Sequence, residues 1–94
     1  MFTIEKAPDG AIKLAGRFDA AQVSKAAEIL DSVTASATVD FSGLDYISSG
    51  GLGSLVGTQQ RLMESGHKLT LANLNGHIRD IFRISGLDQM FEIT

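Results

Sequence analysis

Cysteine and tryptophan are absent from these 94 residues, and proline occurs once. Without cysteine there is no disulfide framework, no thiolate nucleophile and no cysteine-ligated zinc, a composition that fits a reducing, cytoplasmic compartment. Basic charge is not in excess: 8 Lys and Arg stand against 11 Asp and Glu, for a net charge of -3. The cations are scattered, so the sequence carries no electrostatic footprint for nucleic acid. No apolar run approaches the roughly 18 residues of a membrane span. The opening MFTIEKAPDG also lacks the basic-then-apolar order of a signal peptide. These features predict a soluble chain. At 44% hydrophobic content it can enclose one small core, a single domain over residues 1–94.

What is present is a hydrophobic period that switches repeatedly between two and 3.6, the mark of alternating strands and helices. FTIEKA and AIKLAGRF alternate around a Pro8, Asp9, Gly10 turn and predict an antiparallel hairpin. Asp19 opens a helix whose stripe runs through Val23, Ala26, Ala27, Leu30 and Val33. TVDF predicts a short third strand, followed by a serine- and glycine-rich loop from Ser42 to Gly51. A second helix carries Leu52, Leu55, Val56, Gln59, Leu62 and Met63 and ends at Gly66. KLTLANL predicts the fourth strand, Asn75 caps a third helix with Ile78, Ile81 and Phe82, and MFEIT the fifth strand. The fold class is α/β, a mixed sheet of about five strands with about three helices in the order ββαβαβαβ. Met63 and Met90 are expected as core filler. Arg61, Lys68, Arg79 and Arg83 are expected as solvated positions.

The stretch DFSGLDYISSGGLGSL, Asp40 to Leu55, lies where ligands of α/β folds gather, between a strand end and a helix start. Ser48 or Ser49 can serve as an ordinary helix cap. A serine nucleophile would need a base, and nothing ties His67 or His77 to this loop; G-x-S-x-G is also absent. No catalytic residue and no metal ligand set is read here. Gly50, Gly51 and Gly53 would let the backbone approach an anion, but neither a P-loop lysine nor G-x-G-x-x-G follows.

Three blocks in order resemble one family. GRFDA at Gly16 to Ala20, the central DFSGLDYISSGGLGSL and IFRISGL at Ile81 to Leu87 are similar to the motifs of the STAS domain, typified by the bacterial anti-sigma factor antagonists. The resemblance spans essentially the whole chain and implies the STAS fold. Members of this type carry a further helix after the last strand, whereas this sequence stops at Thr94.

The resemblance implies a phosphorylation-dependent partner-switching protein rather than an enzyme, cytoplasmic, without a cofactor, and a monomer or weak dimer. Its partners would be an anti-sigma factor that is also a serine kinase of the ATPase (GHKL) fold, and a PP2C-type phosphatase. Carried over by position, the phosphorylated serine is Ser49. The motif's aspartate falls on Ser48, its second serine or threonine on Gly50 and its glycine on Gly51. Asp19 and Asp40 match the family's aspartates after the second strand and at the third. With Leu52 and Gly53 from the helix start, these residues form the expected partner-binding set. Leu52, Leu55 and Val56 equally suit the core, and Gly53 and Gly57 equally suit helix-on-sheet packing. Two alternatives stand beside this reading: a STAS scaffold or lipid-transport subunit that is not phosphorylated, and a nucleotide-binding sensor.

Overall fold

A computed structural model describes residues 1–94. Strand β1 (Phe2–Lys6) turns back into β2 (Ile12–Phe18), and a 3-10 turn (Ala20–Gln22) leads into α1 (Val23–Leu30). Then follow β3 (Ala37–Ile47), α2 (Ser49–Met63), β4 (Leu69–Ala72) and α3 (Gly76–Ile84). A second 3-10 turn (Leu87–Gln89) precedes β5 (Glu92–Ile93). The strands lie in the order β1-β2-β3-β4-β5, antiparallel for the first pair and parallel for the rest. Consecutive strands are neighbours, so each right-handed crossover places its helix on the same face. The expected mixed sheet, opening hairpin and three helices are all present.

The helix-covered face holds one cluster of 19 buried side chains, including Phe2, Leu14 and Phe18 from the hairpin and Leu55, Leu62, Ile78 and Phe82 from α2 and α3. Phe2 stacks on Phe18 at 4.7 Å between centroids, and Phe82 meets Phe41 and Phe91 edge-on at 6.0 and 5.8 Å. Both are geometries that aromatic pairs prefer. The other face carries Thr3, Lys13, Arg17, Thr38 and Ser42, all exposed, and no helix covers it.

The main departure from expectation is β3. It runs eleven residues, so that Ser42 to Ile47, expected as loop, belong to the strand. Its register against β2 slips between Lys13 and Ala15 and again between Gly16 and Arg17, each time inserting an extra residue on β3. These bulges break the alternation, and the buried residues Val39, Phe41, Leu44 and Ile47 fall at spacings of two, three and three. A strand with that spacing does not look like one in the sequence.

Helix α1 is shorter than the apolar stripe suggested, ending at Leu30, although Val33 is still buried. Met63, expected in the core, is 56% exposed. Arg61 is exposed, as expected, yet its guanidinium donates to Leu30 O at 2.9 Å and Val33 O at 2.8 Å. It thereby caps the last carbonyl of α1 and that of Val33 just beyond it, where a cation also meets the negative pole of the helix. Arg83 pairs with Asp80 and Lys68 with Glu92, both on the surface.

Candidate functional site

The connection between β3 and α2 is a single residue. Ser48 is extended, at φ -90° and ψ 173°, and caps α2: its Oγ accepts the Gly51 amide at 3.2 Å and its carbonyl accepts Leu52 N at 2.9 Å. Its own amide donates to Phe18 O at 2.9 Å, tying the start of α2 to the end of β2. One residue further, Asp19 turns the chain into the first 3-10 turn, its Oδ1 accepting the Ala21 amide at 3.1 Å. The two motif blocks GRFDA and ISSGG are therefore hydrogen-bonded neighbours at the carboxyl ends of β2 and β3.

That closeness depends on Gly51. A Cβ there would lie 2.8 Å from Phe18 O and 2.9 Å from Ile47 Cγ1, closer than real Cβ contacts come. Gly50 is nearly as close to Ala20, at 3.3 Å from its Cα. On the outer side of the helix the situation reverses. A Cβ at Gly53 or Gly57 would meet nothing within 4 Å, so these two glycines do not serve helix-on-sheet packing. Leu55 is fully buried beneath them, while Leu52 and Val56 are half-buried on the flank.

Ser49 is the first residue of α2 and is exposed. It takes no part in the cap, which Ser48 supplies. No acidic residue occupies the first turn of α2. The amides of Ser49 and Gly50 precede the first i to i−4 bonds, and no acidic side chain of the helix's own first turn counters the positive end of its dipole. Chemically, this is a free primary hydroxyl beside unpaired donors at a helix N-terminus, a place that accommodates negative charge.

The structure thus brings Asp19, Ser48, Ser49, Gly50 and Gly51 together, with Leu52 and Gly53 on the turn that follows. Asp40 is not among them. It lies on the bare sheet face opposite Lys13 of β2, whereas Ile47, just before Ser48, lies opposite Phe18, about 17 Å further along that strand at about 3.3 Å per residue. Asp40 Oδ1 accepts Asn73 Nδ2 at 3.0 Å and Ser42 N at 2.9 Å. The Asn73 amide, the Ser42 amide and the charge of Lys13 hold the Asp40 carboxyl below the usual range. Asn73 has φ +62°, a left-handed conformation that asparagine tolerates better than most residues. Asp40 therefore anchors the turn from β4 into α3 and borders an open groove of about 490 Å³ with Asp9, Lys13, Thr38 and Asn73.

Several contributors carried no readable signal. Phe18 offers the carbonyl that Ser48 binds, Ala20 packs under Gly50, and Val23 Cγ2 would lie 3.4 Å from a Cβ at Gly50. Arg17 stacks over Tyr46 at 4.2 Å from the ring centroid, on the far face of the same strand ends. Only the pairing of β2 with β3, invisible in the sequence, sets these residues side by side. No group of three or more His, Asp or Glu side chains is placed to hold a metal ion, and no helix is long and apolar enough to cross a membrane.

A one-sided, mostly parallel sheet with a serine-glycine helix start at its strand ends defines an α/β domain of the STAS type. The chain belongs to the STAS domain family: residues 2–92 match the family model described as "Mlab, STAS domain". Over 56 residues it is 36% identical to BtrV of Bordetella bronchiseptica, named "Putative anti-sigma factor antagonist BtrV". That match covers 60% of this chain and 48% of BtrV, about half the length of the relative. Among solved structures, a Thermotoga maritima protein described as "a putative anti-sigma factor antagonist" is similar in fold, with TM-score 0.80 at 18% identity, covering 99% of this chain and 85% of that one. The antagonist SpoIIAA is similar in its unphosphorylated form (TM-score 0.68, 19% identity, 100% and 87% covered). It is also similar in its phosphorylated form, from Bacillus (TM-score 0.61, 22% identity, 100% and 91% covered).

Proposed function

We propose that this domain is an anti-sigma factor antagonist switched by phosphorylation of Ser49. The observation that carries the reading is the division of labour at the start of α2. Ser48 holds the helix cap, and the adjacent Ser49 is exposed and free to react. In this cycle the unmodified domain binds a cytoplasmic anti-sigma factor that is also a GHKL-type serine kinase, and so releases a sigma factor. Ser49 Oγ takes the γ-phosphoryl group of kinase-bound ATP, ADP leaves, and the hydroxyl proton is lost. A PP2C-type phosphatase returns Ser49 by hydrolysis to inorganic phosphate. The domain is the substrate in both steps and the catalyst in neither. Named relatives support the reading: BtrV is described as an antagonist, and SpoIIAA has been solved in phosphorylated and unphosphorylated forms.

The physics suits a local switch. A phosphoserine carries about -1.5 to -2 charges at pH 7, and the free amides and dipole at the N-terminus of α2 tolerate it without unfolding the domain. A partner packed on Ser49, Leu52 and Gly53 would instead have to bury that charge, at a cost of about 2 to 5 kcal/mol by analogy with unpaired interfacial charges. Phosphosite mass spectrometry on protein from its native cells, with Ser49→Ala as control, tests the proposal. A phosphoryl group on Ser49 that varies with growth or stress supports it, and an unmodified Ser49 under all conditions overturns it.

A second reading is favoured by two specific observations: the matching family model is described as a Mlab domain, and Ser48 and Gly50 stand where the antagonist motif has an aspartate and a second hydroxyl. In that reading the same face docks a partner permanently, as a scaffold or transport subunit, and Ser49→Asp abolishes assembly although wild-type Ser49 is never modified.

A further inference from the structure

The outer edge of the sheet is open but guarded. Within the hairpin, Ala7 N donates to Ala11 O at 2.8 Å and Arg17 N to Met1 O at 2.9 Å. With Phe2 opposite Gly16 and Ile4 opposite Leu14, the odd-numbered residues of β1 make the bonds to β2. In an antiparallel pair the alternate residues then turn their N–H and C=O groups the other way. Ile4 and Lys6 therefore present theirs along the free edge, which no further strand covers, while those of Phe2 point the same way but are covered, the whole residue being only 2% exposed. One of these groups is already taken. Lys25 reaches across from α1, its Nζ donating to Phe2 O at 2.8 Å and lying 6.0 Å from the centre of the Phe2 ring.

We propose that the free edge of β1 is a pairing surface for a second copy of this chain, and that Lys25 holds it closed by occupying the Phe2 carbonyl. The edge is self-complementary. Antiparallel pairing about a twofold axis at Ile4 sets Ile4 against its own copy and Phe2 against Lys6, so every outward donor and acceptor of β1 finds a partner. On the bare face Glu5 then opposes Thr3, and no like charges stand directly across from one another. That ladder needs the Phe2 carbonyl, which Lys25 already fills. Pairing would also force the ammonium out of its contact or bury it unpaired. A lysine laid on an exposed strand is one of the devices by which sheets avoid edge-to-edge association.

The test is analytical ultracentrifugation of the full chain with amide hydrogen exchange on the same samples. Lys25→Met keeps the length and apolar stem of the side chain and removes its donor. Wild type is expected as a monomer in which the Ile4 and Lys6 amides exchange freely. Lys25→Met is expected to self-associate roughly a hundredfold more tightly, about tenfold for the one net hydrogen bond that each of the two copies no longer gives up, with Ile4 and Lys6 protected in the dimer. Adding Ile4→Pro, which removes an outward N–H without breaking any bond to β2, though it also trims a side chain packed on the core, should restore the monomer. A folded Lys25→Met that stays as monomeric as wild type overturns the proposal, as does a dimer that persists with Ile4→Pro. Should Lys25→Met fail to fold, exchange in wild type decides: slow Ile4 and Lys6 amides in a monomer would show that the edge is not free.

Discussion

The amide of Ser48 donates to the carbonyl of Phe18 at 2.9 Å, and through that bond the last residue of β2 fixes where α2 begins. Ser48 is thereby committed twice, by its amide to the sheet and by its hydroxyl to the Gly51 amide. Ser49, next in the chain, is committed to neither. Adjacent serines with opposite duties give the site a structure that can persist while its chemistry changes.

Separate substitutions distinguish these duties. Ser48→Ala removes a helix cap and should cost about 1 kcal/mol, a fall in Tm of roughly 4 to 8 °C for a domain of this size. Ser49→Ala should leave Tm within about 2 °C of wild type while removing the proposed phosphate acceptor. Thermal unfolding by circular dichroism reads both. Equal losses for the two variants would mean that the cap is shared.

Much of this arrangement was legible in the sequence. The hairpin followed from two alternating runs around Pro8, Asp9 and Gly10, and the cap of α3 from Asn75, whose Oδ1 does accept the Ile78 amide at 2.8 Å. Neither Ser48 nor Ser49 could be preferred as the cap of α2, because the choice turns on where β3 stops. That end was hidden by two bulges that disguise Ser42 to Ile47 as loop. The hydrogen bonds of Arg61 and the exposure of Met63 escaped for a related reason. Helical spacing gives the angle of a side chain about its own axis, whereas α1 beside Arg61 and open solvent beside Met63 depend on how far the neighbouring elements extend. Asp40 shows the limit of motif matching: it lies in the same short block as Ser49 but, on an extended strand, far from it in space.

Asp40 should shape the acid limb of stability. Its carboxyl titrates lower in the folded chain than in the unfolded one, chiefly because Asn73 and the Ser42 amide donate to the charged form. The unfolded state therefore binds its proton first as pH falls, so the contribution of Asp40 is fully present above the ordinary carboxylate pKa of about 4 and fades below it. Asp40→Asn should lower stability near pH 7 and flatten the loss between about pH 5 and the folded pKa. Urea unfolding across that range, with wild type in parallel, checks this, and an unchanged slope would mean that the carboxylate is not stabilised by its donors.

Gln59 carries a second structural prediction. It is only 3% exposed, and its amide bridges two elements, Nε2 donating to Met90 O at 2.8 Å and Oε1 accepting the Leu69 amide at 2.7 Å. Gln59→Leu conserves much of the volume but strands an N–H of β4 and a carbonyl just before β5. Each unsatisfied group costs about 1 to 3 kcal/mol when buried, so a loss of about 2 kcal/mol or more is expected in urea unfolding. Hydrogen exchange should place the weakness at the Leu69 amide. Unchanged protection there would show that the backbone finds another partner.

The glycines of α2 separate folding from recognition. Gly51→Ala pushes a methyl group to within 2.8 Å of Phe18 O and 2.9 Å of Ile47 Cγ1, and should destabilise by about 1 to 3 kcal/mol, as overpacked sites do. Gly53→Ala meets open space and should stabilise by about 0.5 to 1 kcal/mol, because alanine is the better helix former. A stabilising replacement left unused by the natural sequence suggests a use outside the fold. On the proposed docking face, the added methyl group would stand between α2 and a partner backbone. Gly53→Ala is therefore expected to raise Tm and weaken partner binding together, measured by thermal unfolding and by calorimetric titration with the proposed anti-sigma factor partner. If binding survives Gly53→Ala and is instead lost with Asp40→Asn, recognition runs through the bare sheet face and not through the start of α2.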